Sequence, residues 1–157
     1  MHAEPGAAPS LTRLAAQATT HCLTGCAIGE VLGMVIATAL DWGNLPAIAL
    51  SVVLAFLFGY ALTIRPLLAS GMRLRQAGRL ALAADTVSIT VMEITDNAIL
   101  LLIPAAMDAQ LTDPLFWGSL AFSLAVAGVV AFPVNRWMIG RGQGHAVVHA
   151  AHDGHHG

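Results

Sequence analysis

The sequence predicts an all-α integral membrane protein: a four-helix bundle with its N and C termini in the cytoplasm. Three observations predict it. Of 157 residues, 57% are hydrophobic and 10% are charged, whereas an average soluble domain is about 25% charged. The apolar residues gather into four runs, each near or above the roughly 20 residues that cross hydrocarbon. The seven basic residues are all arginine, and they sit beside the same ends of these runs.

Residues 1–13 read as a flexible leader with two prolines. They carry no basic stretch ahead of an apolar core, so the first run is expected to be a retained helix rather than a cleaved signal. The bundle is expected over 14–143. Its first run covers about 15–40 and ends at the turn Asp41-Trp42-Gly43-Asn44 before Pro46. The second covers about 45–64, is almost uniformly apolar, and ends at Arg65-Pro66. A basic connection with Arg73, Arg75 and Arg79 leads to the third, about 80–107. A short acidic turn, Asp108 to Pro114, precedes the fourth, about 115–140. The tail, 144–157, is rich in histidine.

Orientation follows from charge. Arg13, the arginines of the second connection, and Arg136 with Arg141 share one side, whereas the other two connections hold only Asp41, Asp108 and Asp113. The positive-inside rule makes the arginine side cytoplasmic, with Trp42, Phe116 and Trp117 in the outer aromatic belt and Trp137 in the inner one. No basic patch of the kind that binds nucleic acid is present.

The chemistry lies in two runs that mix polar residues with hydrocarbon-compatible ones. In the first, Cys22, Cys26 and Glu30 recur every four residues and form one stripe, with His21, Gly25, Gly29 and Gly33 in a neighbouring stripe. Glycines at that spacing let another helix approach closely. In the third, Asp85, Ser88, Met92 and Asp96 share a face, with Glu93 and Asn97 beside it. Carboxylates inside a membrane cost about 3 kcal/mol each even on insertion scales. They normally face a bundle interior and mark an ion path, a metal site or a proton relay.

Thiol, imidazole, thioether and carboxylate together suit a transition metal, so His21, Cys22, Cys26, Met92, Glu30 and Glu93 are the candidate metal ligands. Asp85, Asp96, Asn97 and Asn135 form a second polar station or proton path. His145, His149 and His152 are accessory ligands in the tail. Competing readings exist for each. Lone membrane cysteines serve as small apolar filler, and a polar cluster can be a clasp between helices. Pro133 and Asn135 can relieve a kink instead of completing a site. A disulfide between Cys22 and Cys26 is disfavoured, because side chains four apart on one helix are poorly aimed for it.

The combination His21-Cys22-x3-Cys26-x3-Glu30, Met92-Glu93-x3-Asn97, Pro133-x-Asn135-x-Trp137 and Arg141-Gly142-x-Gly144-His145 resembles an uncharacterised bacterial membrane family, domain of unknown function 4396. The resemblance spans about His21 to His149. Some members are linked to cupredoxin-like domains or copper proteins, which implies copper handling in the bacterial inner membrane. It brings no catalytic mechanism, and no cupredoxin-like segment is expected within these 157 residues.

The expectation is therefore a multi-pass protein that binds a transition-metal ion, copper first, for transport or delivery, rather than an enzyme. The alternatives are a membrane redox protein using haem or thiols, and a proton-coupled carrier of small solutes using the carboxylates alone. The glycine stripe of the first helix suggests a homodimer or higher homo-oligomer in the lipid bilayer.

Overall fold

The computed structural model describes residues 10–142 as four helices joined by tight turns: α1 (Leu11–Ala39), α2 (Asn44–Ala69), α3 (Leu74–Leu102) and α4 (Pro114–Gly140). The His-rich tail, with His145, His149 and His152, lies outside the described residues. Helix α1 touches each of the other three, including α3 across the bundle. That crossing sets the two half-polar helices face to face.

Local chemistry explains the helix ends. Ser10 caps α1 by accepting a hydrogen bond from the Arg13 amide at 3.2 Å. At the other end of α1, Asp41 takes a left-handed φ of 52°. The Trp42 amide reaches back to the Ala37 carbonyl at 2.9 Å, and the Asp41 amide to Thr38 at 3.3 Å. This is the reciprocal C-terminal lock of a Schellman motif. The end of α2 repeats it, with Gly71 at φ 92° and the Met72 amide on the Leu67 carbonyl at 3.2 Å. Asp113 caps α4 through the Leu115 amide at 2.9 Å, with Pro114 at the first helical position. The indole of Trp117 donates to the Leu111 carbonyl at 2.8 Å and ties the connecting segment to α4.

Four boundaries differ from expectation. Helix α1 begins at Leu11 instead of about 15, inside the expected leader, where Ser10 caps it. Helix α2 runs through Pro66 to Ala69, because one missing N–H does not outweigh a turn of helix that Gly71 then terminates. Helix α3 begins at Leu74 instead of about 80, since arginine and glutamine are good helix formers. It stops at Leu102 instead of 107, because Pro104 drives Ile103 out of the helical region, to ψ 118°.

By length and composition α1, α2 and α4 are apolar enough to cross a membrane, with mean hydropathy of 1.7, 2.3 and 2.0 over their best windows. Helix α3 does not qualify by this measure. Its acids face inward: Asp85, Glu93 and Asp96 are all buried, while Leu82, Val87, Ile94 and Leu101 point out. Its three threonines turn onto their own helix, as Thr86, Thr90 and Thr95 bond the carbonyls four residues earlier at 2.6–2.8 Å.

The tightest contact is between α1 and α2. A Cβ added at Gly25 would stand 2.8 Å from Gly59 Cα, at Gly29 2.6 Å from Ala55 Cα, and at Gly33 2.8 Å from Ser51 Cα. The glycine stripe of α1 thus meets a small-residue stripe of α2, Ser51-Ala55-Gly59, within the same chain. The stripe that suggested self-association is already covered.

Candidate functional site

Three rungs of polar side chains cross the seam between α1 and α3. The stripe Cys22, Cys26, Glu30 on α1 meets Asp85, Glu93 and Asp96 on α3, one against one. Cys22 donates to Asp85 Oδ1 at 3.8 Å, with Ser88 beside the thiol. Cys26 stands against Glu93. Glu30 faces Asp96. All six side chains are buried. From Cys22 to Glu30 the helix rises about 12 Å, at about 1.5 Å per residue, so the rungs occupy the middle of the bundle.

The rungs have different hydrogen-bond partners. At the arginine end, Asp85 also takes a hydrogen bond from Thr63 of α2, and Thr63 pairs with His21 Nε2 at 2.8 Å. His21 therefore joins the network through Thr63 of α2. In the middle rung, Asn97 donates to the Glu93 carbonyl at 2.9 Å and to Glu93 Oε2 at 3.4 Å, while Glu93 Oε1 has no donor. In the last rung, Glu30 Oε1 and both carboxyl oxygens of Asp96 have no partner besides each other's carboxyl groups. Buried polar atoms are normally paired, so three orphaned oxygens at one contact call for an explanation. Two carboxyl groups in a low-dielectric seam can stay together when a proton or another cation lies between them.

The soft donors are grouped separately. Cys22, Cys26 and Met92 belong to one fully buried cluster, closed by Ala55, Ile89, Ala127 and Ala131. Both cysteines are free thiols. Among the described residues, no three His, Cys, Asp or Glu side chains converge as a ready-made metal site. Of the candidate ligands, His21 pairs with Thr63, while Cys22 and Cys26 lie with Met92. Asn135 is also placed elsewhere. It donates to Thr19 Oγ1 at 2.9 Å and clasps α4 to α1 near the arginine end.

Beyond the last rung, at the end away from the arginines, lies a cavity of about 50 Å3 lined by Glu30, Met34, Ser51, Asn97, Met107 and Phe116 among others. It is roomy enough for a few waters. Glu30 is the member of the last rung that lines it.

Thr63, Thr19 and Met34 were not visible as site residues in the sequence. Thr63 is a lone threonine in an almost wholly apolar run, Thr19 lies before the Cys/Glu stripe, and Met34 reads as ordinary core. Met34 does continue the four-residue spacing of Cys22, Cys26 and Glu30, a signal that was there to be read.

The model of one family covers residues 12–144, nearly the whole described bundle. The chain belongs to the family described as domain of unknown function (DUF4396). No curated protein and no solved structure matches it. Membership matches the likeness drawn from the motifs of α1, α3 and α4. The description it carries names no activity, so the chemistry of this DUF4396 member is argued from its own seam.

Proposed function

We propose that this chain is an integral membrane protein that binds a soft transition-metal cation, copper(I) by ligand chemistry, in the α1–α3 seam and passes it on in exchange for protons. One observation carries the reading: each buried thiol has its own buried carboxyl partner, Cys22 with Asp85 and Cys26 with Glu93. Metal is bound by thiolate, so binding requires that each thiol give up its proton. The neighbouring carboxylate is placed to receive it. Met92 adds a thioether to the same cluster, and thiolate with thioether selects soft ions. Glu30 and Asp96 then provide a proton station between the thiols and the cavity.

In this reading all four helices cross the membrane. Helix α3 is admitted because its acids are turned inward and its outer face is apolar. The arginine side is cytoplasmic and the membrane is the bacterial inner membrane. His21 acts through Thr63 and Asp85, and Asn135 is a clasp. Self-association loses the support of the glycine stripe, which α2 occupies.

The test is copper(I) binding by the purified protein in lipid nanodiscs. One tightly held ion per chain with proton release is expected, and Cys22→Ser with Cys26→Ser should remove it. Equal affinity in wild type and the serine variant would overturn the reading.

A second reading, a proton-coupled carrier of small solutes, is favoured by the Glu30–Asp96 contact and by the absence of a preformed ligand triad among the described residues. There the serine variants would be fully active, while Glu30→Gln would be inactive. A haem-based redox protein has less support, because His21 is the one histidine among the described residues and it is engaged by Thr63. An absorbance spectrum would reveal haem directly.

A further inference from the structure

We propose that the cavity beyond Glu30 is a second, weaker binding site for a soft monovalent cation, with Met34 and Met107 as its sulfur ligands and Glu30 as its anionic wall. The inference rests on the soft-metal reading above and extends it to a place where the ion pauses outside the thiol cluster.

Met34 lies four residues beyond Glu30. The α1 stripe therefore reads Cys22, Cys26, Glu30, Met34, with a coordinating side chain at each step. Met107 comes from the segment between α3 and α4, and both methionines line the same small cavity. Glu30 lines the cavity and has a buried carboxyl oxygen without an N–H donor, and Ser51 and Asn97 are the other polar residues there. Thioether sulfur is a neutral ligand that binds soft ions without releasing a proton. A methionine site is therefore suited to hold an ion loosely beside a thiol site that binds it only on deprotonation. The competing role is packing, since Met34 also rests against the Phe116 and Leu120 cluster, and methionine fills irregular gaps well.

Silver(I) is the probe, because it is soft, monovalent and redox-inert. The full chain in nanodiscs carries Cys22→Ser and Cys26→Ser, so that methionine is its remaining sulfur donor. Equilibrium dialysis should show one silver ion per chain more than the same protein with Met34→Leu and Met107→Leu added. Leucine keeps the apolar volume, so packing is retained while the sulfur is lost. X-ray absorption at the silver edge should show sulfur neighbours in the first protein, and their loss in the second. Equal silver content in the two proteins, or nitrogen and oxygen neighbours alone, would overturn the inference. Failure here, with the wild-type chain run in parallel holding one silver ion that the double serine variant loses, leaves the seam reading standing. Silver bound by the methionines with none at the thiols refutes the seam and keeps the cavity site.

Discussion

Gly29 and Asp85 show how much single residues decide in this bundle. A Cβ at Gly29 would meet the backbone of Ala55 rather than a movable side chain end. Alanine improves helix propensity by about 1 kcal/mol, but overpacking against backbone costs about 1–3 kcal/mol. Gly29→Ala should therefore lower the unfolding free energy in detergent, and an unchanged value would mean that α1 and α2 are not in such close contact. Asp85 accepts from both Thr63 and Cys22. Asp85→Asn keeps an acceptor of the same size, so the fold should survive while copper(I) affinity falls, because the amide cannot take up the thiol proton. Asp85→Leu strands two buried donors and should destabilise by about 1–3 kcal/mol. If Asn and Leu variants bind copper(I) as wild type does, Asp85 has only a structural part.

Pairs of helices bring the chemistry together. The Asn135–Thr19 bond joins α4 to α1, and intramembrane bonds of this kind contribute about 0.6 kcal/mol on average. Asn135→Ala should cost about that much in thermal stability with metal binding intact. The Glu30–Asp96 rung should behave in the opposite way. Glu30→Gln introduces an amide donor facing Asp96, so it should keep or raise stability, since a neutral hydrogen-bonded pair avoids the burial cost of charge. In the same variant proton exchange across the membrane should stop, measured by pH change in vesicles on copper addition. A variant that is less stable yet still exchanges protons would show that the rung is only a clasp.

The whole molecule is constrained by topology and by proton linkage. If all four helices cross, as proposed, Ser10 and Gln76 lie on one side and Gly43 and Thr112 on the other. Single cysteines at these exposed positions, placed in the Cys22→Ser, Cys26→Ser background, should be labelled in two groups by a membrane-impermeant reagent, the first two from the cytoplasm. If Ser10→Cys and Gln76→Cys are labelled from opposite sides, α1 and α2 do not both cross the membrane. Binding that releases thiol protons also makes affinity depend on pH. Copper(I) affinity should weaken as pH falls, by roughly tenfold per pH unit for each proton released. A pH-independent affinity would exclude the thiols as the ligands.

The sequence by itself determined the helical class, the four runs, the inward polar stripes and the family, because each is a matter of local composition and of the 3.6-residue period. It also carried the candidate residues of α1 and α3. Helix limits at Pro66 and Pro104 were less legible, since whether a proline is tolerated depends on what terminates the helix next. Only the tertiary structure decided which stripe meets which. It gave the glycines to α2 and so left the Cys/Glu stripe to α3. It turned His21 to Thr63 and Asn135 to Thr19, and it opened a cavity beside Met34. The physical reason is that a stripe states which side chains share a face, while the partner on that face is chosen by the closest packing of all four helices at once.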